Sequence, residues 1–344
     1  MEKLISWNPP DSWITIKTID AHTAGEPLRI ILSGFPEIHG STILEKRNYV
    51  KENLDHLRTA LIFEPRGHAD MYGCIITPPV TEEADFGVIF LHNEGYSTMC
   101  GHAIIALTKV TIQTGMVEKT EPVTTINIDT PAGLITSYAK INNGKIGSTY
   151  FHNVPSFVLA KNQQILIAEI GTVNFDIAFG GAFYAFVNAD QLGINMTENN
   201  YRELIEKGML IKNAVMQNFE IIHPFESELN FLYGTIFYGK SLTQESDSRN
   251  VCVFANGEVD RSPTGTGVSA RMALHYEKDE IKLNESMIIE SIIGTKFTCK
   301  AIKEIEYGGH NAVIPEVEGK AFISGKNEFI IDPDDPLKNG FILR

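Results

Sequence analysis

An internal repeat limits the folds open to this chain more than any other feature of its sequence. The run FLHNEGYSTMCGH, residues 90–102, aligns without a gap with FANGEVDRSPTGT, residues 254–266. The alignment pairs Cys100 with Thr264, an offset of 164 residues. In each copy an apolar, strand-like run precedes the segment and a helix-like pattern follows it. The repeat therefore predicts two similar α/β halves.

A hairpin-like run follows each predicted helix, from Thr125 in one half and from Ser286 in the other. We predict an α/β (α+β) fold of two pseudosymmetric halves, residues 1–155 and 156–327, each a strand-rich shell around one central helix. The tail, about residues 328–344, is expected to pack back on the first half. The first half then carries Cys100, the second carries Asp260 and Thr264, and an active site is expected in the cleft between them.

Apolar spacing predicts three helices. One starts at Cys100, a second starts near Thr264, and a third runs from Asn199 and is ended by Gly208. The first two begin at corresponding places in the repeat, so their N-termini are expected to face each other across the cleft. The first turn of a helix carries unpaired N–H groups and a partial positive charge. Two such ends aimed at one point predict a carboxylate site that needs no arginine or lysine.

Glycines 101 and 265 follow the two helix starts and allow the backbones to approach closely. Cys100 is the cysteine that we expect to react, because a helix N-terminus lowers the pKa of a thiol. The alternative is that Cys100 is only a small residue at a helix start. Cys74, Cys252 and Cys299 lie in strand-like runs, which favours buried, inert packing roles.

The formal net charge of −14 argues against nucleic acid or an anionic membrane as the main partner. The sequence has no apolar run of membrane-spanning length and no signal-peptide pattern at its start, so we expect a cytoplasmic protein. The four cysteines form no CxxC pair, and we expect neither disulfides nor a metal site. The run GTIFYGKS, residues 234–241, formally matches a phosphate-binding loop, but its β-branched and aromatic interior predicts a strand.

Five motifs resemble the proline racemase family over nearly the whole chain. MCGH at residues 99–102 and DRSPTGTG at 260–267 are similar to its two signature motifs, and DAHTAGEP at 20–27, EPRGHADMYG at 64–73 and DPDDP at 332–336 are also similar to that family. The resemblance implies a fold like that of diaminopimelate epimerase, no cofactor, and a small-molecule substrate held between the halves. We leave a homodimer open.

The resemblance also implies roles for individual residues. Cys100 matches the family's first acid/base thiol. Backbone donors to the substrate carboxylate are matched by Gly101, His102, Gly265 and Thr266. The family's side chains near the ring nitrogen of the substrate correspond to Asp260 and His102. Its aromatic positions that line the pocket correspond to Tyr72 and Phe254.

Thr264 departs from the racemases and epimerases of the family, which carry a cysteine in both motifs. A Cys/Thr pair resembles the branch that dehydrates trans-3-hydroxy-L-proline, with Cys100 and Thr264 at the catalytic positions. A single acid/base suits a syn elimination, whereas racemisation needs a second proton donor on the opposite face. Two alternatives stay open: a proline racemase or 4-hydroxyproline epimerase, and a non-catalytic amino-acid binder.

Overall fold

The computed structural model describes residues 1–343, and strands form most of its regular structure. The strands are β1 Ile14–Thr23, β2 Glu26–Ser33, β3 Tyr72–Thr77, β4 Phe86–His92, β5 Gly95–Ser97, β6 Val123–Thr130, β7 Gly133–Asn142, β8 Lys145–His152, β9 Ser156–Ile167, β10 Gly171–Phe179, β11 Phe183–Asn188, β12 Leu232–Gly239, β13 Ser248–Phe254, β14 Glu258–Val259, β15 Met287–Glu290, β16 Lys296–Tyr307, β17 His310–Gly319 and β18 Ala321–Ile331. The helices are α1 Glu2–Ile5, α2 Ile43–Asn53, α3 Asp55–Ile62, α4 Gly101–Thr114, α5 Tyr201–Asn218 and α6 Gly265–Glu277.

The order of strand pairing is the same in the two halves of the molecule. The first half runs β18–β1–β2–β3–β4–β6–β7–β8, with parallel pairs at β2–β3 and β4–β6 and antiparallel pairs elsewhere. The second runs β9–β10–β11–β12–β13–β15–β16–β17, with parallel pairs at the corresponding places, β11–β12 and β13–β15. The pseudosymmetric α/β fold predicted from the repeat is confirmed.

The second set of strands closes into a barrel, because β17 pairs with β9 as well as with β16. In the first half the corresponding pairing would join β8 to β18. No such pairing is found within residues 1–343. There β8 pairs with β17 instead, and this ladder joins the two halves. β18 pairs with β1 along its length from Ala321, so the chain returns to the first half seven residues before position 328. The exact division at residues 155 and 327 stays a prediction.

One helix lies inside each set of strands. α4 packs against β1, β2, β7, β8, β17 and β18, and α6 packs against β9, β10, β11, β16 and β17. Eleven of the 14 residues of α4 are buried, which is typical of a helix enclosed on all sides. No helix within residues 1–343 combines the length and the apolar character that crossing a bilayer requires.

The predicted helix starts agree with the structure within two residues, but the predicted end of the third helix is wrong. α5 continues through Gly208 to Asn218. Gly208 faces the sheet: a Cβ there would lie 2.8 Å from the Cβ of Val253, and its carbonyl accepts a hydrogen bond from Thr235 Oγ1 at 2.9 Å. The glycine therefore allows close helix–sheet packing and does not end the helix. The run at 234–241 forms strand β12, as predicted.

The N-termini of α4 and α6 touch through two glycines. A Cβ built on Gly265 would lie 2.9 Å from the Cα of Gly101, and one built on Gly101 would lie 3.0 Å from the Cα of Gly265. Contacts this short against backbone cannot be relieved by a side-chain rotation, so any larger residue would force the helices apart. Both positions must stay glycine for the two helix ends to meet.

We expect Gly265→Ala to lower the free energy of unfolding by about 1–3 kcal/mol, the usual cost of overpacking a core. Thermal and urea denaturation measure this directly. Gly325→Ala in β18 is the matched control, because a Cβ there meets nothing nearer than Asn327 at 3.5 Å. Equal stability of Gly265→Ala and wild type would contradict the close contact of the two helices.

Candidate active site

A small cavity lies where the N-termini of α4 and α6 meet. All nine residues singled out from the sequence line it: Tyr72, Cys100, Gly101, His102, Phe254, Asp260, Thr264, Gly265 and Thr266. Four further residues line it that the sequence reasoning missed: Glu26, Met99, Tyr184 and Tyr233. The internal repeat and the resemblance thus led to one place in the folded protein.

The cavity volume is about 40 Å³, and one water needs roughly 10–15 Å³ of such space. A nucleotide or a peptide does not fit, and the site suits a small ligand held with little water. Contacts across the cleft keep it closed, since Arg261 Nη1 donates to Asp70 Oδ2 at 2.8 Å and Asn256 Nδ2 donates to Glu94 Oε2 at 2.8 Å. These contacts join the two halves beside the cavity.

Cys100 is the N-cap residue of α4, and its side chain is buried. Its Sγ lies 3.1 Å from Nδ1 of His102. The His102 ring also hydrogen-bonds the Pro27 carbonyl and packs edge-on against the Tyr72 ring, with centroids 4.8 Å apart. The Cys100 thiol and the His102 imidazole are thus within hydrogen-bond distance of each other.

The expected low pKa of Cys100 is wrong. Burial raises the pKa of the Cys100 thiol, and the nearby charges of Asp260 and Glu26 raise it further. Hydrogen bonds from the Ala103 N–H and the Tyr72 hydroxyl lower the thiol's pKa but do not outweigh burial. The helix N-terminus alone does not make a buried sulfur anionic. A bound cation that offsets the two carboxyls would favour the thiolate.

Burial also raises the pKa of the other three cysteines, and all four are free thiols. Cys74, Cys252 and Cys299 lie in strands β3, β13 and β16, as predicted. Cys100 differs from them in its place, at a helix N-terminus beside an imidazole and in a cavity.

Thr264 is the N-cap residue of α6 and has φ +69°, a conformation that β-branched residues rarely adopt. The backbone around it is firmly held: Thr264 N donates to Ser262 Oγ at 3.1 Å, and Asn250 Nδ2 donates to the Pro263 carbonyl at 3.2 Å. The Thr264 hydroxyl oxygen is buried, and no hydrogen-bond partner for it is found within the described chain. The Cys252 thiol, a weak hydrogen-bonding group, lies beside it.

Two buried carboxyls line the cavity, one from each half. Asp260 Oδ1 accepts a hydrogen bond from Ser262 N at 2.7 Å, and Glu26 Oε2 accepts one from Arg261 N at 2.7 Å. Burial raises the pKa of Glu26 well above its usual range, and the charge of Asp260 raises it further. Neither lysine nor arginine is among the residues that line the cavity. The Arg261 guanidinium lowers the pKa of Glu26 but does not line the cavity, so the two carboxyls suit a ligand that brings a positive charge.

The missed residues are brought in by contacts between distant parts of the chain. Tyr184 Oη lies 2.7 Å from Thr266 Oγ1, and Tyr233 packs against Phe254 because β12 and β13 are paired. Glu26 stands in the DAHTAGEP motif, which was a usable signal, but a glutamate in a strand-like run gives no sign of burial. Within residues 1–343, no group of three or more His, Cys, Asp or Glu side chains is placed to hold a metal ion.

The fold and the cavity define a two-part α/β protein with facing helix N-termini, a buried thiol and a small cavity lined by two carboxyls. The chain belongs to the proline racemase family: the family model for proline racemase matches residues 18–342.

Its relatives include proteins of both the dehydratase and the epimerase types. The chain is 52% identical to a trans-3-hydroxy-L-proline dehydratase of Colwellia psychrerythraea, covering 99% of this chain and 97% of that protein. It is 46% identical to the human trans-3-hydroxy-L-proline dehydratase, covering 96% and 95% of the two chains. A solved hydroxyproline epimerase of Agrobacterium vitis, with bound trans-4-hydroxy-L-proline, has a TM-score of 0.89 and 31% identity, covering 97% of this chain and 96% of that one.

We expect pyrrole-2-carboxylate, a planar carboxylate of the right size, to bind at the two helix N-termini. At a hundredfold excess over its Kd it should stabilise the protein by about 2.7 kcal/mol, measured by thermal denaturation. Pyrrole-2-carboxamide has the same ring without the negative charge and is the control. Equal stabilisation by the acid and the amide would argue against a carboxylate site.

Proposed function

We propose that the protein dehydrates trans-3-hydroxy-L-proline to 1-pyrroline-2-carboxylate and water, through the 2-pyrroline enamine. The observation that carries the proposal is that Cys100 and Thr264 occupy the two helix N-termini. The site therefore has one thiol, whereas racemisation would use two. The names of relatives at 46–52% identity support the same activity. A cytoplasmic location and a homodimer stay predictions.

The stereochemistry of the substrate agrees with a single acid/base group. In trans-3-hydroxy-L-proline the hydroxyl is trans to the carboxylate and therefore on the same ring face as the α-hydrogen. Cys100, as the thiolate, takes the α-proton from that face, and the hydroxyl leaves from the same face. A threonine hydroxyl is too weak an acid and too weak a base to exchange a carbon-bound proton from the opposite face.

The rest of the cavity suits the charges of the substrate. The N–H groups of Gly101 and His102 on α4, and of Gly265 and Thr266 on α6, belong to first helical turns and lack intrahelical partners. They are placed to bind the carboxylate and to stabilise the enolate charge that develops on it. Asp260 offsets the ring ammonium. The same cation would reduce the carboxylate charge that raises the pKa of Cys100.

The direct test is to incubate the protein with the 3- and 4-hydroxyproline isomers in heavy water. A dehydratase forms pyrroline-2-carboxylate from the trans-3 isomer. A racemase or epimerase instead yields an inverted, α-deuterated amino acid, and a non-catalytic binder is stabilised by ligand without turnover. Failure to form pyrroline-2-carboxylate from any isomer would overturn the proposal.

We expect dehydration to rise with pH, because the thiolate is the active form and burial raises the thiol's pKa. The kcat/KM profile reports the free protein and kcat reports the complex. Since the substrate ammonium offsets Asp260 and Glu26, the rise in kcat should occur at lower pH than the rise in kcat/KM. Rates at about pH 6 to 10 bracket the ordinary thiol value of about 8.5.

Cys100→Ser should abolish dehydration over this whole range, while Cys299→Ser, which alters a buried cysteine outside the cavity, should keep the wild-type profile. Activity that is flat in pH, or that survives in Cys100→Ser, would exclude the thiolate as the base.

Thr264→Cys should gain racemisation of L-proline or epimerisation of 4-hydroxyproline, because it places a second thiol at the facing helix N-terminus. The change also removes a β-branched residue from a positive φ, so the variant should fold at least as well as wild type. Thr264→Ala is the matched control and should retain dehydration without gaining racemisation. Chiral chromatography measures both products. A folded Thr264→Cys that binds pyrrole-2-carboxylate but inverts neither amino acid would show that the opposed-face geometry is wrong.

A further inference from the structure

Tyr72 places a hydroxyl group beside the sulfur of Cys100. Its side chain is buried at the start of β3, its hydroxyl hydrogen-bonds Ser97 Oγ, and it lines the cavity beside the Cys100 thiol, close enough to lower the thiol's pKa. The ring is fixed on both sides, stacked on His92 with centroids 5.7 Å apart and packed edge-on against His102. A phenol held by four neighbours has a defined direction, and its oxygen is available where the cavity begins.

Tyr72, Ser97 and Cys100 all belong to the first half, whereas Asp260 and Thr264 come from the second half. The Tyr72 hydroxyl is thus on the same side of the cavity as the thiol. If Cys100 takes the α-proton of trans-3-hydroxy-L-proline, the 3-hydroxyl faces this side as well. Hydroxide is a poor leaving group, and an acid that protonates it as the bond breaks accelerates the step by about 10²–10⁴-fold. The phenol is next to the thiol, where such an acid is needed.

Other acids of the cavity are less suited to this step. Glu26 is directed toward the second half, where its Oε2 accepts a hydrogen bond from Arg261 N at 2.7 Å. His102 is occupied at one nitrogen by the Cys100 sulfur and also bonds the Pro27 carbonyl. Asp260 is in the opposite half and is needed for the ring ammonium. Burial raises the pKa of Tyr72 well above its usual range, so the phenol stays protonated until a proton is withdrawn.

We propose that Tyr72 is a catalytic residue of the dehydration, which protonates the departing 3-hydroxyl and is reprotonated by the Cys100 thiol. The inference rests on the dehydratase function proposed above and goes further, because it explains how the protein removes the 3-hydroxyl group in particular.

The proton and electron balance closes within these groups. The Cys100 thiolate takes the α-proton, and the electrons of the C–H bond move into the enolate of the carboxylate. They return to form the C2–C3 double bond as the C3–O bond breaks. The oxygen takes the bond's electron pair and the Tyr72 proton and leaves as water. Tyr72 then takes the proton from the Cys100 thiol, which restores both the phenol and the thiolate.

The test is Tyr72→Phe, assayed with trans-3-hydroxy-L-proline in heavy water at alkaline pH, where loss of the phenol's hydrogen bond to the thiolate matters least. We expect pyrroline-2-carboxylate formation to fall by about 10²–10⁴-fold, the usual effect of removing a general acid. Removal of the α-proton should continue, so the remaining substrate should gain deuterium at Cα, which NMR or mass spectrometry detects. Ser97→Ala, which frees the phenol from its anchor, should show the same pattern more weakly.

Tyr96→Phe is the matched control. It also removes a phenol hydrogen bond in the same half, from Tyr96 Oη to Asp55 Oδ1 at 2.8 Å, but its side chain does not line the cavity. Its dehydration rate should equal that of wild type, and all variants should bind pyrrole-2-carboxylate.

Two results would overturn the assignment of Tyr72. One is an unchanged dehydration rate in Tyr72→Phe. The other is loss of both dehydration and α-deuteration, which would place Tyr72 in the first step or in the structure of the site. Absence of pyrroline-2-carboxylate with the wild-type protein is a different outcome, which would remove the proposed function itself.

Discussion

The approach of two helix N-termini to backbone contact is the constraint on which the site depends. The backbones approach closely at Gly101 and Gly265 because neither residue has a side chain to hold the helices apart. The two sets of strands then act as frames, each of which places one helix so that its first turn ends in the cleft. Cys100 and Thr264 occupy the N-cap positions of these helices, so the same contact that joins the halves also brings these two residues to one cavity.

The charges in the cavity come from two different sources. Positive potential comes from unpaired N–H groups of two helices, which are fixed in space and need no titratable cation. Negative charge comes from the carboxyls of Glu26 and Asp260, and burial raises the pKa of Glu26. A zwitterionic amino acid satisfies both, carboxylate to the helices and ammonium to the carboxyls. The raised pKa of Cys100 follows from burial and from the same two carboxyls.

Much of the fold could be predicted because the same sequence pattern occurs in both halves of the chain. The gapless alignment of Cys100 with Thr264 gave two halves and two facing helices, since each half has the same local pattern. What could not be predicted depends on contacts between distant residues. Gly208 is typical of a helix end in the sequence, but in the structure it leaves room for the Val253 side chain to pack against the helix. The helices at Ile43–Asn53 and Asp55–Ile62 were missed, although the capping box of Thr42 and Glu45 was a usable signal.

The site shows the same limit. Its nine predicted residues carry motif signals, whereas Tyr184 and Tyr233 come to the cavity only through strand pairing and packing. The low pKa expected for Cys100 followed from the helix N-terminus alone, a local feature. The pKa of Cys100 is instead raised, by burial and by Glu26 and Asp260, which come from two other parts of the chain. The positive φ of Thr264 is likewise imposed by its surroundings, since Ser262 and Asn250 hold the loop that carries it.

The place of β18 bears on how the chain is assembled during translation. All the strands of the second barrel, β9 to β17, are contiguous in sequence, so this barrel has its full set of strands once Gly319 has left the ribosome. The first half lacks one of the two partners of β1, strand β18, until Ala321–Ile331 has been made. The half that is synthesised first is thus completed last, and the thiol and the facing helix end meet in a finished cavity only when almost the whole chain has emerged.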